Sequence, residues 1–149
     1  MPRNEIGIMG GTFNPIHNAH LLIAEMAREE YGLDRVIFIT DGNPPHKSAN
    51  VTAKQRFEMT HIAIADNSAF EEDDFEINRS EKSYTVNTLG YLKEKYPNDD
   101  LFFIIGEDSL NDFDKWYKPD KILEMCSLLV FPRKSLKSLT ETIKAVKEK

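Results

Sequence analysis

Four short apolar runs, each closed by a glycine, a proline or a polar turn, constrain this chain more than any other feature. Residues 6–9 run into Gly10-Gly11, and residues 36–39 into Thr40-Asp41-Gly42. Residues 101–105 end in Gly106, and residues 128–131 end at Pro132. Runs of this length, apolar without alternation and rich in β-branched and aromatic residues, are strands buried on both faces. Helical patterns lie between them. One covers residues 18–31, carrying Leu21, Leu22, Ala24, Met26 and Ala27, and stops near Gly32. A second opens on a Thr52/Gln55 capping box and runs through Phe57, Met59, Ile62 and Ile64. A third, with Thr85 as its cap, carries Val86, Leu89 and Leu92 and stops at Tyr96-Pro97; residues 122–125 sit in a short fourth. Residues 75–77 read as a short strand, and the acidic run Glu71-Glu72-Asp73-Asp74 as a solvated turn. Buried strands joined through amphipathic helices require crossover connections. The expected architecture is therefore α/β, a parallel sheet with helices on both faces.

Such sheets place ligands outside the carboxyl ends of their strands, where the strand order reverses. The glycines and acids that follow the strands, Gly10-Gly11, Asp41-Gly42 and Gly106-Glu107-Asp108, fall there. A nucleotide-sized ligand is the leading expectation. The length of 149 residues, 40% hydrophobic and 30% charged, suits one domain over residues 1–149. A formal net charge of −6 argues against duplex nucleic acid as the main partner. The single cysteine, Cys126, sits among apolar neighbours and reads as an inert core thiol. One cysteine allows no internal disulfide, which points to a reducing, cytoplasmic setting. No apolar stretch approaches the ~20 residues of a membrane span, and no signal peptide is visible.

Residues 10–20 read Gly-Gly-Thr-Phe-Asn-Pro-Ile-His-Asn-Ala-His. Paired glycines let backbone approach a ligand closely. With Asn18 as cap, the following helix would turn its free N–H groups toward the loop, a natural place for phosphate. His17 and His20, three apart, can face the same anion. Neither a Gly-Lys-Ser/Thr phosphate loop nor a G-x-G-x-x-G fingerprint is present. Two such histidines could also bind zinc, but no Cys, Asp or Glu lies beside them and H-E-x-x-H is absent. No dedicated metal site is expected.

This segment resembles the T/H-x-G-H signature of the nucleotidyltransferase superfamily, with Ala19 where the usual Gly stands and Asn14 where many members have Asp. Three further blocks resemble the bacterial nicotinate-nucleotide adenylyltransferases. They are Asn43-Pro44-Pro45-His46-Lys47, then Arg79 with Ser83-Tyr84-Thr85-Val86-Asn87-Thr88-Leu89, and the run Phe103 to Leu110 with Trp116. Asn87 replaces an Asp often seen in the second block. The resemblance spans about residues 5–133 and implies a Rossmann-like fold. It also implies adenylyl transfer from ATP to nicotinate mononucleotide in NAD biosynthesis, with Mg²⁺ arriving on ATP. By position, His17 and His20 would contact the ATP phosphates as the catalytic pair. Gly10, Gly11, Thr12 and Phe13 would cradle the nucleotide, with Gly106 and Asp108 beside the adenosine ribose. Thr85 and Trp116 would hold the nicotinate ring, and Lys47 would lie near the mononucleotide phosphate.

Each residue also has a plainer reading. Trp116 beside Tyr117 can be a packing residue, although its flat, electron-rich ring suits a pyridine. Lys47 can be a solvated loop lysine. A sister enzyme acting on nicotinamide mononucleotide or phosphopantetheine remains open, as do a nucleotide-binding module without turnover and a homo-oligomer. Members of the family usually continue by roughly 40–60 residues to an I-S-S/T-x-x-I-R segment that this sequence lacks. Its last stretch, residues 132–149, holds six basic and two acidic side chains. It opens a helix at Ser138 and Glu141, carries Leu139, Ile143 and Val146 in a stripe, and stops without a breaker. A C-terminally truncated chain is the expectation.

Overall fold

The computed structural model describes residues 4–11, 18–40, 53–77 and 84–131. The strands are β1 (Glu5–Gly11), β2 (Arg35–Thr40), β3 (Phe70–Asp73), β4 (Asp100–Gly106) and β5 (Ser127–Phe131). The helices are α1 (Asn18–Tyr31), α2 (Ala53–Ile64), α3 (Thr85–Lys95), α4 (Glu107–Asn111) and α5 (Pro119–Met125), with a 3-10 turn at Phe113–Lys115. All strand pairs are parallel, in the order β3-β2-β1-β4-β5. The expected α/β sheet is thus observed, with β1 at its centre.

Alternation along the strands divides the core in two. Val36 and Phe38 of β2 and Ile104 of β4 face Ala24 and Ala27 of α1 and Ile64 of α2. Ile37, Ile39, Ile6, Ile8 and Phe103 face Leu89 and Leu92 of α3, Ile122 of α5, and Phe113. Burying one such side chain stabilises the fold by roughly 1.5–3 kcal/mol. Gly32, at φ +66°, ends α1 where a left-handed residue is needed, and the Leu33 N–H closes back on the Arg28 carbonyl at 2.9 Å.

Four sequence expectations change. The acidic run is not a solvated turn: Glu71, Glu72 and Asp73 belong to the edge strand β3, and Asp73 is only 5% exposed. Each finds a partner, Glu71 with Arg35, Glu72 with His61, and Asp73 with Tyr91 and Lys95. Residues 75–77, expected as a strand, form the turn that follows, with the Phe75 N–H on Asp73 Oδ1 at 2.9 Å. The cap of α3 is Tyr84, in extended geometry, and Thr85 is the first helical residue. Asn18 is likewise the first residue of α1 itself, and Thr52 lies outside the described residues.

α2 buries an unexpected stripe. Arg56, Thr60 and Ile64, spaced by four, face the sheet, whereas Met59 is exposed and Ile62 is 73% exposed. Thr60 donates its hydroxyl to the Arg56 carbonyl at 3.0 Å, which satisfies it inside the helix.

Gly90 lies inside α3, and a Cβ built there meets nothing within 4 Å among the described residues. Gly90→Ala is therefore expected to stabilise the protein by about 0.5–1 kcal/mol, because alanine loses less backbone entropy in a helix. Thermal unfolding should rise by about 1–4 °C. A lowered midpoint would show that the space beside α3 is needed.

Candidate functional site

β1 and β4 are paired only from Glu5↔Asp100 to Ile8↔Phe103. Beyond that point they part. β1 continues through Met9, Gly10 and Gly11 along β2, ending at Gly11↔Thr40, while β4 continues along β5 to Gly106↔Phe131. The last three residues of each strand, about 10 Å of chain, thus border a cleft at the reversal of strand order. Both borders end in glycine. At Gly10 a Cβ would stand 3.9 Å from Phe103 Cζ and 4.0 Å from the Ile39 carbonyl oxygen, which is ordinary contact. The fold itself would accept alanine there. What glycine adds is an exposed stretch of bare backbone at the cleft, suited to a closely held ligand.

α1 starts on one side of this cleft. His20, in its first turn, is half-buried. Gly106 is the last residue of β4 and the cap of α4, a helix absent from the sequence expectation, which puts Asp108 at the cleft's rim as the second residue of that helix.

The other side is built by α3 and the strap that follows the 3-10 turn. Thr85 begins α3 and is half-buried. Trp116 packs edge-on to Phe103 at 6.1 Å and tilted on Phe113 at 5.0 Å. Phe103 is the β4 residue at which the sheet parts, so Trp116 leans on the base of the cleft while remaining partly exposed. The packing reading of this residue is observed, and part of its surface stays accessible. Tyr84 and Tyr117 join the two elements, their rings 4.6 Å apart at 37°. Tyr84 lies within the Ser83-Tyr84-Thr85 block that the resemblance singles out and Tyr117 follows Trp116, but nothing local in the sequence signals that their rings meet.

The structure thus sets Gly10, Gly11 and Gly106 along the cleft, with Asp108 in the helix that Gly106 caps and His20 in the first turn of α1, and it places Thr85 beside the Trp116 strap through their tyrosine neighbours. Thr12, Phe13, His17 and Lys47 lie outside the described residues. Cys126 donates to the Ile122 carbonyl at 3.4 Å, and burial pushes its thiol up to about 11, so it is no nucleophile at neutral pH. Among the described residues, no three His, Cys, Asp or Glu side chains are grouped so as to hold a metal ion, and no helix is long and apolar enough to cross a membrane.

A protein of Citrifermentans bemidjiense named "Probable nicotinate-nucleotide adenylyltransferase" is 48% identical over 142 residues, 93% of this chain. One of the same name from Geobacter sulfurreducens is 50% identical over 129 residues, 85% of this chain. The chain spans 66% of the first relative's length and 60% of the second's. A nicotinic acid mononucleotide adenylyltransferase of Plasmodium falciparum, solved with NaAD, shares the fold at a TM-score of 0.78 and 23% identity, over 91% of this chain and 71% of that one. With a family model matched over residues 8–148, the chain belongs to the cytidylyltransferase-like family.

Proposed function

We propose that this protein transfers the adenylyl group of ATP to nicotinate mononucleotide, giving nicotinate adenine dinucleotide and pyrophosphate, in NAD biosynthesis. The observation that carries the reading is the parted sheet, with bare glycine backbone and a histidine-bearing helix start on one side and the Thr85–Trp116 pair on the other. That layout suits a ligand stretched across the cleft, phosphates toward α1 and an aromatic ring toward Trp116. The relatives at 46–50% identity support the acceptor.

The chemistry needs no protein nucleophile. A phosphate oxygen of the mononucleotide attacks the α-phosphorus of ATP in line, the bond to the β-phosphate oxygen breaks, and pyrophosphate leaves. His17 and His20 meet the charge that builds on the ATP phosphates, and Mg²⁺ carried by the substrate ATP would neutralise the departing pyrophosphate. Gly10, Gly11, Thr12 and Phe13 hold the nucleotide, and Gly106 and Asp108 lie by its ribose. Trp116 stacks the pyridine ring, Thr85 begins the helix whose N–H groups receive the carboxylate, and Lys47 meets the mononucleotide phosphate. A lone, half-buried cysteine fits the reducing cytoplasm.

Product analysis tests this. The intact protein is incubated with ATP, Mg²⁺ and, in separate reactions, nicotinate mononucleotide, nicotinamide mononucleotide or phosphopantetheine. Pyrophosphate and dinucleotide are expected with the nicotinate form. Turnover only with another acceptor replaces the substrate, and nucleotide binding without turnover in any reaction rejects the enzyme.

A further inference from the structure

Residues 112–118 form a strap fixed at both ends. Phe113 is buried in the core at one end, and Ile122 of α5 is buried at the other. Between them Trp116 rests its inner side on Phe103 and Phe113, at 6.1 and 5.0 Å, and Tyr117 follows it on the outer side. Two further features fix that outer side of the strap. One is the Tyr84–Tyr117 ring contact at 4.6 Å, which bridges from the strap to the residue that caps α3. The other is Lys118, whose backbone is left-handed at φ 52° and ψ 59°.

Lys118 is an unusual residue for that conformation. It bears a Cβ, and it precedes Pro119, which steers the preceding residue toward extended geometry. No other non-glycine among the described residues has positive φ. The carbonyl of Lys118 accepts from the N–H groups of Lys121 and Ile122 at 3.1 and 3.3 Å, and its ammonium lies 5.2 Å over the Tyr117 ring. Strained backbone of this kind persists only where the surroundings over-determine it, and it collects at sites where a side chain must be aimed. Here the reversal turns the chain out of the strap and into α5, and it leaves Tyr117 against Tyr84.

We propose that Tyr84, Tyr117 and the left-handed Lys118 are positioning residues for the acceptor subsite, holding Trp116 at a fixed separation from the first turn of α3. This rests on the adenylyltransferase reading, in which Trp116 and Thr85 take the two ends of the nicotinate group. Without the bridge, the strap keeps its anchors at Phe113 and Ile122 but loses the registration of Trp116 against Thr85. The loss falls on acceptor binding, because the glycine-lined rim that serves ATP belongs to other elements.

Steady-state kinetics of the intact protein separate these effects. Tyr84→Ala and Tyr117→Ala should each raise KM for nicotinate mononucleotide about two- to tenfold, the worth of one aromatic pair, with KM for ATP unchanged. Tyr84→Phe, which keeps the ring, should restore the wild-type acceptor KM. Lys118→Gly is the decisive variant: glycine relieves the left-handed backbone, so the thermal midpoint should hold or rise while acceptor KM rises. A purely structural role would move KM only where stability falls. Equal increases in both KM values, or an unchanged acceptor KM in Lys118→Gly and Tyr84→Ala, would overturn the proposal. Failure of the underlying reading looks different: wild-type protein would then give no pyrophosphate with nicotinate mononucleotide, and the positioning role falls with it.

Discussion

Replacing His20 with alanine should lower adenylyl transfer by about 10²–10³-fold while leaving the unfolding midpoint near that of the wild type, and His17→Ala should do the same. The size follows from where the charge appears. In the proposed reaction the protein contributes position and electrostatic stabilisation, and the imidazoles meet negative charge that grows as the bond to pyrophosphate breaks. A donor aimed at that charge acts more strongly in the transition state than in the bound ground state, so kcat should fall further than KM rises. His20 is not part of the apolar cluster that packs α1 on the sheet. It is half-buried in the first turn of α1, and the residues of α1 that hold the sheet are Ala24 and Ala27, farther along the helix. Initial rates at saturating ATP, read beside thermal unfolding, check the prediction. Near-normal rates in both variants would refute the assigned role, and a matching loss of stability would make these histidines structural.

The sheet and its cleft were legible because their signals are local. Residues 36–39 and 101–105 are apolar without interruption, which only a strand buried on both faces tolerates, and the observed β2 and β4 extend them by one residue or so at each end. Gly32 marked the end of α1 since no side-chain-bearing residue takes φ +66° cheaply. Gly10 and Gly106 likewise announced the cleft, being glycines at the carboxyl ends of central strands. What stayed hidden depends on partners distant in sequence. The apolar spacing of α2 pointed to Met59 and Ile62, yet Arg56 and Thr60 face the sheet, since the helix's rotation is set by what it packs against. The left-handed Lys118 had a local signal pointing the other way, toward extended backbone before proline. Thr85 resembled a cap by residue type, but the chain enters α3 extended at Tyr84, a choice that the Tyr117 ring helps fix.

The acidic run shows the largest consequence of such distant partners, and Asp73→Ala is the variant expected to cost most stability. Four consecutive acids looked like a solvated face, on which each would be worth little. Asp73 instead points into the α3 side of the sheet. Its Oδ1 accepts from the Phe75 N–H at 2.9 Å, and its Oδ2 from the Tyr91 hydroxyl at 3.0 Å and Lys95 Nζ at 3.2 Å. Alanine would strand a backbone N–H and a phenol, each worth about 1–3 kcal/mol when left unsatisfied. The Lys95 ammonium adds less, being 47% exposed and free to turn to water. The expected loss is about 2–4 kcal/mol, against no more than about 0.5 kcal/mol for Asp74→Ala at its exposed neighbour. Urea denaturation compares them directly. Tyr91 supplies an independent sign: burial, then the adjacent Asp73 carboxylate, hold its phenol above the ordinary value. In Asp73→Ala its ultraviolet titration should therefore move to lower pH. Equal stability losses at positions 73 and 74, with Tyr91 titrating as in the wild type, would return this segment to the solvated turn its composition suggests. The predicted contrast instead makes an edge strand of acids a fastening point for α3, the helix whose first residue the proposed acceptor requires.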